Sequence, residues 1–180
     1  MKVIKVMRRG IYIGRFQPPH LGHIYAISKV LEEVDELIIG VGSAQISHTL
    51  DNPFTAGERL LMLRLALLEH NIDLCRVYII PIPDIEMNHV WVRYVSMLVP
   101  PFHIAYSNNP LVIRLFKEAG YETKRIPLYD RSRFSGKRIR ELMLSNGPWE
   151  KLVPKSVASF IKEIGGVERL KEIAQTDEVV

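Results

Sequence analysis

Apolar positions along the chain follow two periods. Gly10–Gly14 (Gly-Ile-Tyr-Ile-Gly) is a short β-forming run, and Leu37–Val41 (Leu-Ile-Ile-Gly-Val) is apolar without alternation, as a strand buried on both faces should be. Between them Ile24, Ile27, Val30, Leu31 and Val34 recur at helical spacing. Thr55-Ala56-Gly57-Glu58 then reads as a capping box, in which the hydroxyl accepts the amide three residues on and the carboxylate reaches back. The helix it opens carries Leu60, Leu61, Leu63, Leu67 and Leu68. Val77–Ile80 reads as a third strand closed by Pro81 and Pro83, and Asn88–Val99 as a helix stopped by Pro100-Pro101. His103–Tyr106 is a fourth strand, Asn109-Pro110 an N-cap with Pro at N1 for a helix ending at Gly120, and Tyr121–Ile126 a fifth strand.

After residue 134 the strands stop. Ser135–Leu144 reads as a helix ended by Asn146-Gly147-Pro148, followed by helical stretches over Lys155–Ile164 and Val167–Ala174. Strands alternating with helices imply right-handed βαβ units. The expected class is α/β: a Rossmann-like, doubly wound parallel sheet of about five strands with C-terminal helices. All 180 residues are expected to form one domain, 7–134 its α/β core and 135–180 its helical part, with residues 1–6 a short extension before Met7. In such sheets ligands bind beyond the C-terminal strand ends, where the strand order reverses. That directs attention to the loops after Ile13, Val41, Ile80 and Tyr106.

Composition narrows the function classes. With 47% hydrophobic and 24% charged residues the chain has the balance of an ordinary globular protein, which excludes a disordered one. The lone Cys75 excludes an internal disulfide framework, and it reads as a small buried hydrophobe rather than a nucleophile. Lys and Arg exceed Asp and Glu by 24 to 20, a net +4 that suits an anionic partner. That partner could be nucleic acid or a phosphorylated small molecule, although no block of like charge resembles a nucleic-acid tail and no RNA-binding aromatic signature is present. No apolar run reaches membrane-spanning length, and the basic, apolar start lacks the long apolar core of a signal peptide; the expectation is a cytoplasmic protein without a membrane partner.

The loop after the first strand reads Gly14-Arg15-Phe16-Gln17-Pro18-Pro19-His20-Leu21-Gly22-His23. A strand ends in glycine, two prolines stiffen the turn, and a helix opens at His-Leu-Gly-His. A helix N-terminus is a ready anion site, and His20 and His23, three apart, share one face of its first turn. Gly22 between them leaves room for close approach of a phosphate or purine. Taken alone, the two histidines also fit surface residues or two of the three or more protein ligands a zinc ion needs.

This stretch resembles the signature of the His-x-Gly-His nucleotidyltransferases. Their second element, a Ser or Thr with an Arg five positions later at the start of a late helix, is matched by Phe134-Ser135-Gly136-Lys137-Arg138-Ile139-Arg140. Gly42-Ser43-Ala44-Gln45, Asn52-Pro53-Phe54-Thr55-Ala56-Gly57-Glu58-Arg59, Pro83-Asp84-Ile85-Glu86-Met87-Asn88-His89-Val90-Trp91 and Tyr106-Ser107-Asn108-Asn109-Pro110 are similar to archaeal-type nicotinamide-nucleotide adenylyltransferases. The resemblance implies that ATP and nicotinamide mononucleotide (NMN) react to give NAD and pyrophosphate with Mg²⁺, held mainly through ATP phosphates and water. It also implies a homo-oligomer, often a hexamer.

Carried over position by position, His20, His23 and Arg140 are the catalytic set. Gly14, Arg15, Phe16, Gly22, Ser107, Asn109, Ser135, Gly136 and Lys137 join them around ATP. Ser43, Phe54, Asp84, Ile85, Asn88 and Trp91 fall around NMN. Trp91 could instead pack in the core with Val92, Val95 and Leu98. Lys137 departs from the usual threonine and could point into solvent. A sister enzyme with phosphopantetheine or FMN as acceptor shares the first motif; the Asp84–Trp91 segment favours nicotinamide. A non-catalytic nucleotide sensor or nucleic-acid-binding module is the rival from another class.

Overall fold

The computed structural model describes residues 7–127, 130 and 133–176. The expected extension over residues 1–6 lies outside them. Five parallel strands, β1 (Arg9–Gly14), β2 (Glu36–Val41), β3 (Val77–Pro81), β4 (Ile104–Tyr106) and β5 (Glu122–Lys124), form one sheet in the order β3-β2-β1-β4-β5. The registers are tight: Tyr12 lies beside Ile39 on one side and Tyr106 on the other. The strand order reverses at β1, so its C-terminal end and that of β4 flank the switch point.

The described residues form seven helices, α1 (Leu21–Leu31), α2 (Ala56–Glu69), α3 (Asn88–Leu98), α4 (Pro110–Glu118), α5 (Gly136–Leu144), α6 (Lys155–Glu163) and α7 (Gly166–Thr176), of which α6 packs on α2 and α7 on α5 and α6. Residues Leu37 to Val41 of β2 are buried throughout because apolar layers lie on both faces. Leu37, Ile39 and Val41 join Ile27 and Val30 of α1, Met62, Leu63 and Leu67 of α2, and Ile139 and Ile161 of the late helices. Ile38 points the other way, into a core built with Ile11, Val92 and Val95 of α3 and Phe116 of α4.

The α/β architecture agrees with the sequence reading, and the edges shift. β4 begins one residue later than expected, and β5 covers only Glu122–Lys124 of the expected Tyr121–Ile126. β5 is an edge strand paired only with β4, itself three residues long, so the ladder ends where its partner does. Leu61 and Leu68 of α2 face outward, off its buried stripe. Cys75 is a correction: it is exposed, not buried. It lies in a 3-10 turn (Leu74–Arg76) whose N-cap, Asp73, accepts the Cys75 amide at 2.9 Å, and this turn runs over the surface between α2 and β3.

Candidate active site

A cleft of about 300 Å³ opens at the switch point, between the loops after β1 and β4 and the start of α5. Three helices begin there. His20 caps α1, Asn109 caps α4 and Ser135 caps α5, and all three caps line the cleft. Each N-terminus brings unpaired amides and the positive end of a helix dipole. The cleft is therefore built for an anion with several charged centres.

The histidines form a capping box of their own. His20 Nδ1 accepts the His23 amide at 3.3 Å, and His23 Nδ1 accepts the His20 amide at 3.2 Å. Their rings stack with centroids 3.5 Å apart. Because both Nδ1 atoms accept, each neutral ring carries its proton on Nε2. Burial pulls the His20 pKa down to about 4, and burial followed by repulsion from His20 holds His23 well below the usual imidazole range. At neutral pH the site thus presents two uncharged Nε2–H donors. The Phe16 ring, itself buried, backs His23 at 4.7 Å between centroids.

Two glycines let the motifs meet. A Cβ on Gly22 would come within 2.9 Å of Phe134 Cβ, and one on Gly136 within 2.9 Å of the Gln17 carbonyl oxygen. The room at Gly22, expected for a ligand, is thus taken up at least partly by Phe134. Arg140 is buried and crosses the same seam: Nη1 donates to the Gln17 carbonyl at 2.9 Å and Nη2 to the Asp51 carboxylate at 2.7 Å. Asp51 remains 74% exposed, so this partner is easily displaced. The charge of Arg15, which is exposed, lowers the pKa of both Arg59 and Arg140, after burial in each case. The loop after β1 thus lies among three guanidinium groups. Lys137 is exposed in the first turn of α5.

The cleft brings together His20, Gly22, His23, Ser107, Asn109, Ser135 and Gly136 from the expected ATP set. The expected NMN set lies around the loops after β2 and β3. Asp84 Oδ1 accepts the Ser43 amide at 3.2 Å, and the Asp84 amide donates to Gln45 Oε1 at 2.9 Å. Asn88 is exposed at the start of α3, and Ile85 and Trp91 are half-buried. Trp91 packs edge-on against Phe116 at 5.5 Å, so one side of its ring belongs to the core. Phe54 is wholly buried and meets Gln17 through its backbone, so its ring cannot reach a ligand here.

Sequence reasoning gave no role to Gln17, Asp51, Arg59 or Asn108. Gln17 holds the Phe54 backbone at both N–H and C=O, and Asn108 does the same to Ile126. Each amide staples one strand-end loop to its neighbour. Gln17 and Asn108 sat inside motifs already noted, and their position just after β1 and β4 was the available signal. Among the described residues no three His, Cys, Asp or Glu side chains lie close enough to cage a metal ion.

The cytidylyltransferase-like family model matches residues 11–142. The chain is 57% identical to the nicotinamide-nucleotide adenylyltransferase of Pyrobaculum aerophilum over 92% of its own length and 93% of that protein's. The chain belongs to the nicotinamide-nucleotide adenylyltransferase family. It is therefore a nucleotidyltransferase. The Methanothrix thermoacetophila member of the family is 55% identical over 95% of this chain and 99% of its own. A bifunctional NMN adenylyltransferase/ADP ribose pyrophosphatase from Francisella tularensis, complexed with AMP and a manganese ion, superposes with a TM-score of 0.74 at 22% identity. The match covers 97% of this chain and 54% of that one, and it bears on the fold alone. Among the described residues no helix is long and apolar enough to cross a membrane.

Proposed function

We propose that the cleft holds the triphosphate of ATP while NMN enters from the Asp84–Trp91 side, and that the enzyme joins them to give NAD and pyrophosphate by direct displacement. The observation that carries this reading is the convergence of three helix N-termini and the stacked His20–His23 pair on one cleft. The 5′-phosphate oxygen of NMN is ionised at neutral pH and needs no base. It attacks the α-phosphorus; the bond to the bridging oxygen breaks, and that electron pair leaves with pyrophosphate. What the protein must supply is alignment and relief of building negative charge.

His20 and His23 donate from Nε2 to the α-phosphate oxygens, and Ser135, Gly136, Lys137 and Arg140 hold the β- and γ-phosphates. In taking them, Arg140 exchanges Asp51 for phosphate. Arg15 adds charge from the loop after β1, which Phe16 shapes, while Gly14 at the end of β1 and Gly22 at the start of α1 flank it. Ser107 and Asn109 face the rest of ATP. On the NMN side Asp84 and Asn88 suit the carboxamide, the free part of the Trp91 ring suits the pyridine, and Ile85, Ser43 and the Phe54 backbone frame them. The donors lining the cleft are N–H and hydroxyl groups, which fit phosphates around a divalent ion rather than the bare ion. Mg²⁺ held by ATP phosphates and water supplies further charge neutralisation when bound; no side chain is assigned to it.

The exposed, unpaired Cys75 suits the reducing cytoplasm. Exposed Leu61, Leu68, Met97 and Leu111 suit a homo-oligomer, six copies in the resemblance, built from a single-domain chain. The test of the site is His23→Ala assayed for pyrophosphate release with ATP and NMN. The rate constant is expected to fall about 10²-fold or more, as when a donor to developing charge is removed, with ATP affinity changed far less. Near-native turnover in a folded variant would remove His23 from the chemistry. Phosphopantetheine and FMN, offered in place of NMN, are expected to release none.

A further inference from the structure

Arg59, in the first turns of α2, is the largest fully buried side chain among the described residues, with 0% exposure. No carboxylate forms a salt bridge or hydrogen bond with its guanidinium among the described residues; its acceptors are all backbone carbonyls. Nη1 donates to Arg15 O at 2.7 Å and to Gly42 O at 2.8 Å, Nη2 to Ser43 O at 3.1 Å and Nε to Thr55 O at 3.2 Å. A buried arginine of this kind is costly, so what it holds matters.

Two of those carbonyls stand immediately before residues in the left-handed region. Arg15 O precedes Phe16, at φ 52°, and Gly42 O precedes Ser43, at φ 48°. Neither residue is glycine, and both conformations are disfavoured unless their surroundings impose them. The same Nη1 group thus pins one strained peptide in the loop after β1 and another in the loop after β2. At Ser43 both ends of the strained peptide are tied, since its amide goes to Asp84. At Phe16 the left-handed turn sends the ring inward against His23. The two loops also touch directly, through Gly42 N–H to Gly14 O at 2.9 Å.

We infer that Arg59 is a positioning residue for the transfer reaction: its guanidinium locks the loop that leads into His20 and His23 at the start of α1, and the loop bearing Ser43, in their left-handed conformations, and fixes the ATP side of the site against the acceptor side. It touches neither substrate. This rests on the assignment of His23 and Ser43 made above. Because the reacting oxygen of NMN and the α-phosphorus of ATP are held by different loops, an error in their spacing falls on the chemical step more than on the binding of either substrate alone.

Arg59→Lys tests it, because one ammonium cannot span four carbonyls. The kcat per folded molecule is expected to fall about 50-fold, with KM for ATP changed less than about threefold. Glycine adopts the left-handed region freely, so Ser43→Gly is expected to raise kcat about fivefold in the Arg59→Lys background. In the native background, where Arg59 already holds the turn, the same change is expected to bring no gain in kcat. Additive effects of the two substitutions, or native kcat in folded Arg59→Lys, overturn the inference. If Arg59→Lys does not fold, the uncharged Arg59→Gln, whose shorter side chain carries no group in place of Nη1 and Nη2, takes its place in the same cycle. If neither folds, Arg59 is a stability residue alone and the inference falls. His23→Ala separates the two readings: a rate lost there and kept in Arg59→Lys defeats this inference only, while a rate kept in His23→Ala defeats the site assignment.

Discussion

At the scale of single residues, the histidine pair links catalysis to acid stability. Each Nδ1 accepts a backbone amide of the α1 capping box, and protonation there would convert both acceptors into donors facing N–H groups. The folded protein resists this, with His20 held at about 4 against 6.5 for a free imidazole. The sign follows. Above pH 6.5 neither state takes a proton and the contribution is complete. Between 6.5 and about 4 the unfolded chain binds a proton that the folded one refuses, so stability falls as pH falls. For His20 alone the loss by pH 5 is about 2 kcal/mol, and His23 adds to it in the same direction. Urea unfolding at pH 7.5, 6 and 5 checks this. His20→Asn, which caps without titrating, is expected to flatten the slope; a native protein equally stable at pH 7.5 and pH 5 would contradict the buried neutral pair.

Among the elements, the decisive contact is α5 against the loop after β1. Gly136 and Arg140 of α5 both meet the Gln17 carbonyl, and Gly22 at the start of α1 meets Phe134 just ahead of α5. The two signature motifs are thus packed parts of one site, each needing a glycine where the other arrives. Gly136→Ala places a methyl 2.9 Å from a backbone oxygen that cannot swing away. The expected cost is about 1–3 kcal/mol of stability, with the KM for ATP raised about tenfold as α5 tilts off the cleft. A thermal melt and ATP kinetics measure both, and unchanged values would show that the seam is loose. The caps and strands of these elements were legible in sequence because they are local: Thr55 with Glu58, Asn109 with Pro110 and Ser135 before α5 all appear as read. Arg59 and Gln17 were not legible, because the partners that matter, the Arg15, Gly42 and Ser43 carbonyls for the one and the Phe54 backbone for the other, are distant along the chain and are backbone atoms, which no residue type announces. Cys75 misled for the converse reason, since its exposure follows from the surface turn that carries it.

Across the whole molecule, charge is placed rather than merely present. The chain carries a net +4, and Arg15, Arg59 and Arg140 gather around the loop that follows β1. Lys137 extends that positive region to the first turn of α5, where its charge opposes the helix dipole at a cost of about 0.3–1 kcal/mol. A residue set against its local preference calls for a compensating role, and bound triphosphate supplies one. Replacing it with threonine separates the two effects. Lys137→Thr is expected to keep or slightly raise the melting temperature, because the repulsion with the dipole is removed. It is also expected to weaken ATP binding about threefold to tenfold and to make that binding less sensitive to salt, since one fewer fixed charge then faces the polyanion. Titrating ATP at low and high ionic strength into both proteins gives the two slopes. Equal affinities with parallel slopes would mean that the lysine points into solvent, leaving Ser135, Gly136 and Arg140 as the groups by which α5 holds the phosphates.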